Sequence, residues 1–138
     1  MISVEEVRQE IISVFKTAHD IAYPAILVNY PNYLVVDLEH QEDPFVTVGL
    51  DLNETPVAAL GEREILVNGT LTLYYYYREG TGVASAFNYT DFINSELGIR
   101  LKNAIQYHAV KSLNIQSFPG WGGRMNSLPF DVVRSIVC

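Results

Sequence analysis

Cysteine is almost missing from this chain: Cys138, the last residue, is the only one in 138. No disulfide can close within it, and no Cys-based zinc site can be assembled. Charge is sparse as well. Asp, Glu, Lys and Arg make up 18% of the residues, below the usual quarter. Positive charge is the scarcer sign, with nine Lys+Arg against sixteen Asp+Glu and a formal net charge of −7. That argues against tight general binding to nucleic acid, which needs cations to neutralise phosphates. It is compatible with an acidic wall that lets DNA slide past. No apolar run reaches the length of a bilayer span. The start, Met1-Ile2-Ser3-Val4-Glu5-Glu6, lacks the basic stretch of a secretory signal. Synthesis in a reducing cytoplasm, with no membrane partner, is the expectation.

Catalytic signatures are missing too. There is no Gly-x-Ser-x-Gly elbow, and His19, His40 and His108 share no ligand spacing. Asp37, Glu39, His40, Glu42 and Asp43 cluster, but without the glycine and closing glutamate of a calcium loop. They read as a solvated acidic loop. A small hydrolase using Asp37, Glu39 or Asp43 is the alternative from another class. Glu79-Gly80-Thr81-Gly82 precedes a helical pattern, yet no lysine follows it and a third glycine is missing. A structural turn is therefore favoured over a phosphate loop. No enzyme activity, cofactor or metal is expected.

What the chain does have is apolar and aromatic: 49% hydrophobic residues and nine tyrosines. Its length suits one domain spanning 1–138. The dominant stretch runs from Ile65 to Gly82. Ile65, Val67, Leu71, Leu73, Tyr75 and Tyr77 alternate with Leu66, Asn68, Thr70, Thr72, Tyr74 and Tyr76. Period two with β-branched and aromatic residues predicts a strand, roughly 43 Å long at about 3.3 Å per residue. Gly69 within it marks a bulge or a close backbone approach.

A helix is predicted from Ser3 to Ala18, with Ser3 and Glu6 as a capping box and Val4, Val7, Ile11, Val14 and Ala18 as its apolar stripe. Ile26, Val28 and Tyr30 alternate as a short strand, and Leu34, Val36 and Leu38 as another. Phe45 to Leu52 is a strand, Asn53 to Pro56 starts a loop, and Val57 to Glu64 is an excursion joining it to the long strand in an extended antiparallel hairpin. A second helix is expected from Ala84 to Leu97, with Ala86, Tyr89, Ile93 and Leu97 buried, Phe87 flanking them and Gly98 as the C′ residue. Ile99 to Ser112 fits a helix through Leu101, Ile105 and Ala109, or a strand at 105–108. Leu113 to Phe118 alternates weakly. Residues 119–123 read as a flexible loop anchored by Trp121. A closing strand from Leu128 to Ile136 carries Pro129, which implies an edge or a strand start.

The long strand has a second apolar-aromatic face, and tyrosine is enriched at interfaces. Contact residues are therefore expected at Asn53, Glu54, Arg63, Glu64, Leu66, Tyr74, Tyr76, Arg78 and Glu79, along that face and toward the hairpin tip.

Taken in order, the pattern resembles the tail terminator family of long-tailed bacteriophages, the group related to minor tail protein U. The resemblance rests on the opening amphipathic helix, Tyr30-Pro31-Asn32, and Pro44-Phe45-Val46-Thr47-Val48. It continues through the long strand ending in Gly80-Thr81-Gly82, the late Gly120-Trp121, and Leu128-Pro129-Phe130. It implies an α+β fold: a mostly antiparallel sheet with a long β-hairpin and two main helices packed on one face. It also implies a homohexameric ring that caps the tail tube protein, halts tube polymerisation and joins the tail to the head-completion or connector protein. DNA would pass through without sequence-specific binding. Another neck or head–tail joining protein of the same virion is the runner-up.

Overall fold

Strand β3, Glu62–Arg78, is the spine of the molecule. Its 17 residues extend for roughly 55 Å at about 3.3 Å each. The computed structural model describes residues 4–31, 40–59, 62–80, 82–102, 105–115, 118–132 and 136–137, with backbone only for 55–59, 62–66 and 136–137. Helix α1 is Val4–Ala22 and α2 is Val83–Glu96. The other strands are β1 Leu27–Asn29, β2 Phe45–Ala59, β4 Leu101–Lys102, β5 Ile105–Tyr107, β6 Lys111–Ile115, β7 Trp121–Val132 and β8 Ile136–Val137.

All described strands join one mixed sheet in the order β1-β2-β3-β7-β5-β4, with β6 also on β7 and β8 on β3. Only the β1–β2 pair is parallel; the rest is antiparallel. The fold is α+β, with the long hairpin and both helices on one face of the sheet, in agreement with the sequence pattern.

The hairpin is longer and more regular than expected. Its register runs unbroken from Phe45↔Tyr76 to Ala59↔Glu62. Asn53 to Pro56 therefore continue β2 instead of starting a loop, and the supposed excursion at 57–64 is mostly ladder. Backbone pairing along a partner strand overrides the loop preference of Asn and Pro, which is a local and weaker bias. The unbroken register also rules out a bulge at Gly69, leaving close approach as its role.

Burial follows the alternation. Val67, Leu71, Leu73 and Tyr75 are buried beneath the helices with Val46, Val48, Leu128 and Phe130. From α1 the buried side chains are Val7, Ile11, Phe15 and His19. The stripe is thus turned from the expected one: Val4 and Val14 are only partly buried, and an i, i+4 row of larger side chains takes the centre. Helix α2 buries Ala86, Tyr89 and Ile93, with Leu97 just beyond its end, as the spacing implies. Its left-handed residue is Ile99, φ 54°, and not Gly98. Gly98 nevertheless follows the C-cap Leu97 as the C′ residue, its amide bonding back to the Ile93 and Asn94 carbonyls.

The C-terminal third resolves the helix-or-strand alternative at 99–112 in favour of strands. Residues 121–123, expected as a loop, begin β7, and Trp121 is buried. Pro129 lies inside β7 and at neither end. On one side β7 meets β5 at 130–132 and β6 at 123–127. Pro129 falls in the break between them, where its carbonyl accepts from the His108 amide at 2.8 Å. The amide and carbonyl of a strand residue point the same way, so the missing N–H faces the break and no ladder bond is lost. The capping box at Ser3 and the strand at 34–38 lie outside the described residues.

Tyr107 is fully buried, its ring edge-on to Phe130 at 6.2 Å, and its hydroxyl has no hydrogen-bond partner among the described residues. Burial pushes its pKa well up. A buried unsatisfied hydroxyl costs about 1–3 kcal/mol. Tyr107→Phe should therefore raise stability by about 1 kcal/mol, read as a higher denaturant midpoint at unchanged slope. A lower midpoint would contradict this.

Candidate contact surface

The two faces of the sheet are unlike. On the helix face, Tyr89 is the hub of an aromatic core with Tyr75, Tyr23 and Phe92 at ring distances of 4.9, 5.1 and 5.5 Å. His19 is held there by both nitrogens, Nδ1 to the Tyr89 hydroxyl at 2.9 Å and Nε2 to the Ile26 carbonyl at 3.0 Å. A carbonyl can only accept, so Nε2 carries the proton, and neutral Nδ1 accepts from Tyr89. This is a packed histidine with every group satisfied.

Desolvation lowers the His19 pKa from the usual value near 6.5. Below about pH 6.5 the unfolded chain takes up a proton that the folded site resists, so stability falls as pH falls toward the folded pKa; above 6.5 it is unaffected. His19→Gln should be less stable than the parent at pH 8, and the gap should narrow between pH 6.5 and 5. Thermal midpoints across that range check it, and a pH-independent gap would contradict it.

On the opposite face no helix lies over the sheet among the described residues. Phe45 and Tyr76, a register pair, have ring centroids 5.0 Å apart. Tyr76 also meets Phe118 at 5.2 Å and stacks near-parallel to Tyr74 at 6.3 Å. Trp121 stands edge-on to Phe45 at 5.2 Å, and the Arg78 guanidinium lies 4.4 Å above the indole. Arg78 also donates to the Gln41 carbonyl at 2.7 Å. Phe45 and Trp121 are buried, while Tyr74 and Tyr76 are half-buried. Burial raises the Tyr76 pKa, with Tyr74 adding to the effect. Leu27, Leu113 and Phe118 are 46%, 49% and 41% exposed. By register Leu27 and Leu113 belong to this face, beside Phe45 and Met125. An apolar band therefore crosses the sheet from β1 to β6 with its rim open to solvent.

The sequence-derived contact residues divide between this band and the hairpin. Tyr74, Tyr76 and Arg78 are brought together. Glu79 lies in the following turn, its amide bonded to the Gly120 carbonyl at 3.0 Å. Asn53 and Glu54 are exposed on β2, opposite Asn68 and Val67. Arg63, Glu64 and Leu66 belong to β3, with side chains outside the described residues. Sequence reasoning missed Phe45, Phe118 and Trp121. Phe45 was legible: it alternates with the buried Val46, so both faces of β2 are apolar at that point.

The turn after β3 is structural. A Cβ at Gly82 would lie 2.5 Å from Tyr77 Cβ, and one at Gly122 would lie 2.5 Å from the same ring. Both glycines make room for Tyr77, and α2 has no side-chain cap at Gly82. Among the described residues no group of three or more His, Cys, Asp or Glu could hold a metal ion. Within the acidic loop, His40, Glu42 and Asp43 are exposed; Asp37 and Glu39 lie outside the described residues. Among the described residues no helix is long and apolar enough to cross a membrane.

No family model and no curated protein matches the chain. Seven solved chains do. One, whose name carries no functional description, covers 96% of this chain and 96% of its own at a TM-score of 0.69 and 14% identity. At that identity the likeness is one of fold.

Proposed function

We propose that the protein is a phage tail terminator, a virion structural protein that forms a hexameric ring. The ring caps the tail tube, stops its polymerisation and offers a surface to the head-completion or connector protein. The observation that carries this reading is the open aromatic band on one sheet face beside a hairpin much longer than a small domain needs. Apolar side chains left open along one sheet face, here Leu27, Leu113 and Phe118 beside the half-buried Tyr74 and Tyr76, mark a contact site. The ordered family pattern and the α+β architecture support the same reading. The protein needs no chemistry of its own for this role. Its net charge of −7 suits a channel that passes DNA without holding it; a channel lined mainly by Arg63, Arg78, Arg100 or Lys102 would contradict that part.

Purified protein mixed with tail tubes and imaged by negative stain tests the reading. Rings seated at tube ends are expected. Protein that never rings or caps a tube would sink it.

A further inference from the structure

The two outer edges of the sheet carry charges of opposite sign. On the outer side of β2, from Gly49 to Ala59, no strand is paired among the described residues. The exposed charges on that edge, Asp51 and Glu54, are both acidic. Arg8, which lines a groove with Leu50 and Leu52 there, is already engaged by Glu5 at 2.6 Å. At the far side, β4 and β6 are also unpaired on their outer edges among the described residues. Their charges, Lys102 and Lys111, are both basic.

The two edges also match in level and in face. The register row through Gly49 crosses the sheet to end at Lys111, and the row through Asn53 ends at Leu101. Asp51 and Lys111 thus share the open face, two residues apart in level. Glu54 and Lys102 share the helix face, each one residue beyond the row through Asn53.

We infer that a second copy of this chain docks edge to edge, the acidic β2 edge of one subunit against the basic β4/β6 edge of the next. Two different patches meet, so the contact is heterologous and propagates until a rotation closes it into a ring. This rests on the ring proposed above and adds which surfaces join. Unpaired strand edges supply main-chain hydrogen bonds, and the opposed charges set register and exclude like-edge pairing.

The test uses two full-length double variants, Asp51→Lys/Glu54→Lys and Lys102→Glu/Lys111→Glu. The first has two basic edges, the second two acidic ones. Mass photometry at low ionic strength should find the parent assembled and each variant at least tenfold weaker in association. A 1:1 mixture should recover assembly, because every junction again pairs opposite charges. Circular dichroism should be parental in all samples, since the altered residues are at the surface. Assembly by the parent with no loss in either variant, or loss without recovery on mixing, overturns the edge pairing and leaves the ring reading standing. A parent that stays monomeric even with tail tube ends present overturns both.

Discussion

A single methyl group added at Gly69 should cost about 3 kcal/mol or prevent folding, the upper end for overpacking. The position is central in β3, with Leu52 opposite on β2 and Phe130 opposite on β7. A Cβ there would sit 2.0 Å from the Asp51 carbonyl oxygen and 3.0 Å from the tip of the Phe130 ring. The ring could turn aside, but the carbonyl belongs to the ladder and cannot move without breaking it. Gly49 is the matched control. On β2, a Cβ at Gly49 meets nothing closer than a Tyr74 ring atom at 3.8 Å. Gly49→Ala should be neutral or gain up to about 1 kcal/mol, since glycine is costly within a strand. Urea midpoints of the two variants give the comparison. Equal effects would show that space at Gly69 is not what excludes a side chain.

Asn126→Leu should cost about 2–3 kcal/mol although leucine is close in size. Asn126 is fully buried under α2. Its oxygen accepts from the Thr90 hydroxyl at 2.6 Å and the Ser112 hydroxyl at 2.7 Å, and its amide donates to the Leu73 carbonyl at 3.2 Å. Thr90 in turn accepts from Arg124 at 2.9 Å. One side chain thus ties α2, β3, β6 and β7 together. Leucine removes it and strands its partners, and an unsatisfied buried group costs about 1–3 kcal/mol. Thr90 has a fallback in the Ala86 carbonyl at 3.3 Å; the Leu73 carbonyl and the Ser112 hydroxyl lose the partner that Asn126 supplied. Asn126→Asp gives a second, opposite signature. A buried carboxylate has its folded pKa raised, so this variant should gain stability relative to the parent as pH falls from 7 to 5. A Leu variant within about 0.5 kcal/mol of the parent, or an Asp variant that loses ground in acid, would contradict the network.

Much of this was legible in the residues because strands and helices announce their buried faces by period. The alternation from Val67 to Tyr77 and the α2 stripe at Ala86, Tyr89, Ile93 and Leu97 are reproduced side chain by side chain. What failed depended on long-range partners. Asn53 and Pro56 look like loop residues until β3 pairs with them. Gly122 and Gly123 look flexible until one proves to make room for the Tyr77 ring. Pro129 reads as an edge residue because the break between β5 and β6 cannot be seen in one strand's sequence. His19 and Asn126 are polar residues whose burial depends on Tyr89, Ile26, Thr90 and Ser112, all remote in the chain or on another element. The candidate surface was legible in Tyr74 and Tyr76 but not in Trp121, which the β3–β7 register sets opposite Arg78, or in Phe118, which packs on Tyr76 from the turn before β7.

The proposed ring is what assembly can test directly. Native mass spectrometry of the purified chain in volatile buffer at low ionic strength reads the oligomer without assuming its shape. A dominant species of about 93 kDa, six times the 15.5 kDa subunit, is the result this account expects. A 15.5 kDa monomer at every concentration, with or without tail tube ends present, would contradict it.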